Sequence, residues 1–178
     1  MEIIKDYDKL LCKIISNNHR GIIVISGEDY FDLLANLIKR YYEVIGKFKQ
    51  DINILYVTED YYGDYLYRYE KIEEKLKDFN IKKIKYKDSR NIFGKTFDIL
   101  ILDMYKSLTP DHLGRIIETL SGSGIAFFLV KDFEKFEEIT TTFHEHLLTP
   151  PYKIEDVRKY FEYRFKQKLL QYDNILIY

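Results

Sequence analysis

Four short stretches of this chain are apolar almost without interruption: residues 21–25 (GIIVI), 52–57 (INILYV), 97–102 (FDILIL) and 125–130 (IAFFLV). A strand with one wet face alternates apolar and polar side chains, so an unbroken β-branched and aliphatic run belongs in a strand covered on both faces. Covered strands of this kind occur in parallel sheets, whose connections must cross over as helices. These four strands are therefore expected to be mutually parallel and central.

The segments between them carry the crossovers. Phe31, Leu34, Leu37, Ile38, Tyr41 and Ile45 recur at helical spacing between about residues 29 and 47, and a charged, Tyr-rich segment follows at about 62–79. Thr109-Pro110-Asp111 opens another helix: Thr caps, Pro suits the first helical position, and Asp favours the positive end of the helix dipole. Leu113, Ile116, Ile117 and Leu120 form its buried face, and Gly122 is placed to take a positive φ where it ends. Ahead of the first strand, Ile3, Tyr7, Leu10, Leu11, Ile14 and Ile15 mark an amphipathic helix closed by Asn17-Asn18 and Gly21. Residues 81–86 alternate with lysines, which suits an edge strand. Beyond residue 130 the spacing predicts two helices, over about 133–148 and 154–172, separated by Pro150-Pro151, and a last strand at 175–178. A chain that stops inside a strand is expected of a piece cut from a longer protein.

Composition narrows the function classes. At 178 residues the chain can bury a core without disulfides, and 46% hydrophobic with 32% charged residues excludes a disordered chain. Lys and Arg number 28 against 29 acids, so the net charge of −1 gives no global attraction for nucleic acid or an anionic membrane. No apolar run approaches the roughly 20 residues that span a bilayer, and the N-terminus lacks the order of a signal peptide. A cytoplasmic location is expected, with no membrane partner. Cys12, the one cysteine, sits on an apolar helix and is expected to be a buried filler. His144 and His146 are two residues apart, which turns them to different helix faces, so no metal site is assigned.

In an open parallel sheet, ligands bind beyond the carboxyl ends of the strands, here Ser26-Gly27-Glu28, Thr58-Glu59-Asp60 and Asp103. Glu59 or Asp60 is placed to hold a ribose hydroxyl and Asp103 to serve as a functional acid, the pattern of an adenosyl-cofactor enzyme. The clustered glycines of a phosphate loop are missing, since the first strand leads into Gly27 alone. The plainer reading makes Ser26, Asp29, Asp60 and Thr109 helix caps. Gly122-Ser123-Gly124 follows a helix and precedes a strand, the reverse of a phosphate-binding order, and is expected to be a turn. No nucleophile lies in a G-x-S-x-G elbow. Two basic clusters remain: Lys82, Lys83, Lys85, Lys87 and Arg90, and then Arg158, Lys159, Arg164, Lys166 and Lys168. The second alternates with Tyr160, Phe161, Tyr163 and Phe165, a mixture suited to phosphates and stacked bases. On a helix, the expectation is that those aromatics face the core and those cations are solvated.

The segment Ile92-Phe93-Gly94-Lys95-Thr96-Phe97-Asp98, followed by Leu108-Thr109-Pro110 and by Leu113-Gly114-Arg115-Ile116-Ile117-Glu118-Thr119-Leu120, resembles the N-terminal domain of the tRNA(Met) cytidine acetyltransferase family. That family has a similar "L-G-x-T-F-D" entry, an "L-T-P" helix start and an "R-x-x-E-T" helix ending in a glycine-rich turn. Asp156-Val157 and Glu162-Tyr163-Arg164-Phe165 continue the likeness, and Ser123 stands where a third glycine would be usual. The resemblance implies a Rossmann-like, three-layer α/β domain with a mostly parallel sheet, residues 1–178 being a single N-terminal accessory domain. It also implies a parent protein that forms N4-acetylcytidine in RNA with acetyl-CoA and ATP, through helicase-like and acetyltransferase domains downstream. No catalytic, cofactor or metal residue is carried onto this chain; its expected roles are domain assembly and RNA guidance, with Arg158, Lys159, Arg164, Lys166 and Lys168 as the RNA-binding candidates. The alternatives are a stand-alone methyltransferase-like enzyme and a protein-interaction module without RNA contact.

Overall fold

A computed structural model describes residues 2–178. Helix α1 (Glu2–Asn17) leads into β1 (Gly21–Ser26), α2 (Phe31–Ile45), β2 (Ile54–Thr58), α3 (Gly63–Lys75) and β3 (Ile81–Lys85). After a 3₁₀ segment, Tyr86–Ile92, come β4 (Phe97–Asp103), α4 (Pro110–Ile117) and β5 (Leu120–Val130). Short 3₁₀ turns then flank α5 (Thr142–His146), and α6 (Tyr160–Leu169) and β6 (Ile175–Ile177) complete the order. The strands form one six-stranded sheet in the order β3-β2-β4-β5-β1-β6. Every pairing in it is parallel.

The four apolar runs are the four central strands, and their period of two divides the core. Ile23, Ile25, Ile54, Tyr56, Ile99, Ile101 and Phe127 point to the layer made by α1, α2 and α3. Val24, Leu55, Val57, Leu100, Leu102, Ala126 and Phe128 point to the opposite layer, built from the 3₁₀ segment, α4 and α6. Each strand buries both faces, which is why none of them alternates in polarity. The lysine-bearing β3 pairs only with β2, and β6 only with β1, so these are the edges.

Several local expectations need correction. Residues 133–148 are not one helix: a 3₁₀ turn, Phe136–Glu138, is followed by the five-residue α5. The cause is the threonine run 140–142. Thr141 is extended (φ −104°, ψ 162°), and its side chain and that of His144 cap the helix reciprocally, so a new helix starts there. Residues 154–172 likewise divide into a 3₁₀ turn, Ile154–Asp156, and α6. Helix α4 stops at Ile117, and Leu120 already pairs with Phe97 in the sheet. The Gly122-Ser123-Gly124 segment is part of β5, at a register shift between Phe97 and Ile99, and Ser123 rather than Gly122 takes the positive φ (62°). Pro110 does occupy the first turn of α4, but Thr109 makes no side-chain cap. Ser26 accepts a hydrogen bond from the Phe133 amide instead of capping (2.9 Å), and α2 begins after Tyr30, leaving Asp29 outside the cap. Cys12 is exposed, because α1 turns Leu10, Leu11 and Ile14 inward instead.

Candidate functional site

Strands β1 and β2 are each followed by a helix on one face of the sheet, whereas β4 leads into α4 on the other. Chain segments therefore diverge at the carboxyl edge and leave a crevice there. A cleft of about 330 Å³ lies at this edge. Glu28 and Phe31 reach it from the β1–α2 connection, Asp64, Tyr65, Tyr67 and Arg68 from the first turns of α3, Tyr105 and Lys106 from beyond β4, and Lys131 from the end of β5.

Arg68 joins this cleft to the buried Asp103. Its Nε and Nη2 donate to the two carboxylate oxygens at 2.7 and 3.1 Å, and the Tyr56 hydroxyl and the Tyr105 amide add bonds of 3.2 and 3.3 Å. Asp103 is fully buried. Burial pushes its carboxyl above the ordinary aspartate range, against the pull of Arg68 and the other donors. Burial likewise opposes the Arg68 charge, but hydrogen bonding and attraction to Asp103 outweigh it and raise the guanidinium pKa. The guanidinium also lies between two rings, 4.2 Å from the Tyr105 centroid and 4.9 Å from that of Tyr65. Burial lifts both phenols to about 12, so they stay protonated at neutral pH. Tyr105 is fixed a second time, since its hydroxyl donates to the Gly27 carbonyl across the sheet edge.

Of the strand-end residues singled out in the sequence, Glu28 lines the cleft and Asp103 lies behind Arg68. Glu59 accepts from the Ser107 hydroxyl, and Asp60 pairs with Lys85 at 2.6 Å, which holds its carboxyl below the usual range. Sequence reasoning passed over Arg68, Tyr65 and Tyr105. The available signal was an arginine on the buried stripe of α3, with Tyr69 and Ile72, in a fold with a buried acid at a strand end.

The C-terminal basic cluster is divided by the fold. Arg158, Arg164 and Lys168 are exposed, as are Tyr160 and Tyr163, while Phe161 and Phe165 pack on the core. Lys166 is only 8% exposed and donates to Glu137 (2.6 Å) and to the Glu134 carbonyl (2.5 Å). Lys159 donates to the Glu138 carbonyl and to Thr140 Oγ1. The expectation of inward aromatics and solvated cations is thus corrected: two tyrosines face out and one lysine is buried. His144 Nε2 meets Glu162 at 3.2 Å, both buried, whereas His146 is exposed.

The fold and the cleft define a Rossmann-like α/β domain whose strand-end acid is committed to an ion pair. The family model for "tRNA(Met) cytidine acetyltransferase TmcA, N-terminal" matches residues 1–178. The tRNA(Met) cytidine acetyltransferase TmcA of Pyrococcus abyssi is 36% identical over 195 residues, covering 98% of this chain and 24% of that protein. The protein of the same name from Thermococcus kodakarensis is also 36% identical, with the same coverage. The RNA cytidine acetyltransferase of Saccharomyces cerevisiae is 39% identical over 62 residues, 35% of this chain and 6% of that protein. This chain belongs to the TmcA N-terminal domain family, and it spans about a quarter of the length of its archaeal relatives.

Proposed function

We propose that residues 1–178 are the N-terminal accessory domain of an RNA cytidine acetyltransferase, contributing domain assembly and RNA guidance rather than chemistry. The observation that carries this reading is the match along the whole chain to the N-terminal quarter of relatives named for that activity. Acetyl-CoA and ATP would then belong to the helicase-like and acetyltransferase domains of the parent protein, acting on cytidine N4 in a cytoplasmic RNA. The residues here do not suit a polyphosphate: one glycine follows β1, and Glu28 and Asp64 balance Lys106 and Lys131 in the cleft while Asp103 neutralises Arg68. Among the described residues, no helix is long and apolar enough to cross a membrane.

For RNA, the exposed group Arg158, Tyr160, Tyr163, Arg164 and Lys168 supplies cations beside exposed aromatic rings, Arg158 lying over Tyr160 and donating to its hydroxyl. The test is to measure acetylation of tRNA by the full-length parent enzyme and by a variant lacking residues 1–178. The expected result is a higher KM for tRNA or a loss of assembled enzyme, and unchanged kinetics in the truncated protein would overturn the proposal.

A further inference from the structure

The cleft at the carboxyl edge has structure beyond what the acetyltransferase reading uses. Part of its lining is aromatic and held in place. Arg68 lies between the rings of Tyr65 and Tyr105, and Tyr105 is tied at its amide to Asp103 and at its hydroxyl to Gly27. In the same lining, Tyr67 meets Phe31 edge-on, at 6.3 Å and 89°, and Tyr67 is 56% exposed, so an open aromatic surface is available to a ligand. A site preorganised in this way loses little entropy on binding. Its volume of about 330 Å³ falls within the range of small-molecule sites.

Charge decides which ligand fits. Arg68 is neutralised by Asp103, and Lys131 lies 3.4 Å from Glu28, so with Lys106 and Asp64 the lining carries no surplus of either sign. A polyphosphate would find no excess of cations. A ligand with a flat heteroaromatic ring and several hydroxyls would find aromatic faces for the ring, carboxylate acceptors on Glu28 and Asp64, and lysine donors for ring or sugar oxygens.

We infer that this cleft binds a nucleoside unit, its ring against the aromatic walls around Tyr67 and Tyr105 and its sugar hydroxyls toward Glu28 and Asp64. The same chemistry is offered by a free nucleoside and by an unstacked nucleotide of single-stranded RNA. The inference does not rest on the exposed face of α6, whose residues are absent from the cleft.

The test uses the 178-residue chain and NMR titrations with adenosine, cytidine, ATP, a short single-stranded RNA and an abasic oligomer of equal length. Saturable binding of a nucleoside or the RNA is expected at a Kd of about 1 mM or tighter. Shifted resonances should map to Tyr65, Tyr67 and Tyr105, with ATP no tighter than adenosine and the abasic oligomer giving no shift there. Saturation by free nucleosides assigns the first source, and saturation by the RNA alone assigns the second. Tyr67→Ala should weaken binding at least about tenfold. Asp64→Asn, a change at an exposed position with little risk to folding, should weaken it as well. Absence of saturable binding, ATP preferred by tenfold or more, or affinity unchanged in both variants would overturn the inference. An Arg164→Ala/Lys168→Ala double variant should leave nucleoside affinity unchanged, which separates failure here from failure of the RNA-guidance proposal.

Discussion

Asp103 shows how a residue suited to chemistry can be assigned to structure. All its strong partners are donors from this chain, and Arg68 takes both oxygens, so the carboxylate is occupied as an acceptor. Removing one member of a buried pair leaves the other charge uncompensated, and Asp103→Asn or Arg68→Ala should each cost about 3–5 kcal/mol in urea unfolding. The pair also fixes the Tyr105 ring, so either variant should disturb the cleft. Ser123 presents the opposite case. Its φ of 62° suits glycine, the residue usual there in the resemblance, and its hydroxyl makes only long contacts of 3.4 Å. Ser123→Gly should stabilise the domain by up to about 1 kcal/mol in the same measurement. At Gly124 an added Cβ would lie 2.9 Å from the carbonyl oxygens of Asp98 and Ser121, so Gly124→Ala should destabilise it.

Helix α6 is held to the domain by charge as well as by Phe161, Phe165 and Leu169. Lys166 donates into the 3₁₀ turn at Glu137, and Lys166→Ala should cost about 1–3 kcal/mol, seen as a lower urea midpoint. Exposed Arg164, by contrast, should change stability by no more than about 0.5 kcal/mol when replaced by Ala. The hydrogen bond from Lys166 holds the Glu137 carboxyl below its ordinary range. Its folded pKa is thus below its unfolded value, so this contribution is complete above the ordinary glutamate pKa and is lost as the pH falls through the depressed one. Thermal melting from neutral to acid pH should show a drop in Tm that is smaller in Glu137→Gln than in the parent chain.

For the whole molecule, a net charge of −1 leaves RNA affinity to a local surface. The proposed surface on and beside α6 should bind with a Kd on the order of 10⁻⁴ to 10⁻⁶ M, weakening as salt rises because release of the RNA's condensed counterions is then less favourable. Arg158→Ala/Arg164→Ala/Lys168→Ala should weaken fluorescence-anisotropy binding and flatten the salt slope without changing Tm. Substituting Lys159, Lys166 and Lys168 together would be a poorer probe, because Lys166 and Lys159 hold α6 and its flank to the turn before α5. An affinity and slope unchanged by the exposed triple substitution would remove this face from RNA guidance.

The sequence by itself determined the parallel sheet, its four central strands, the lysine-bearing edge and the helical crossovers. These follow from side-chain periodicity, which local residues carry and burial on two faces enforces. It also carried the family, through the motifs around Phe97, Pro110 and Leu120. Only the tertiary structure decided which polar residues meet. Arg68 and Asp103 are 35 positions apart and join because α3 and β4 are packed together. Lys166 faces inward because Glu137, 29 residues earlier, offers a carboxylate there. The helix expected over 133–148 failed because side-chain capping at Thr141 competes with helix continuation. Periodicity reports which face of an element is buried, but a polar side chain's role depends on the partner that folding brings within hydrogen-bond reach.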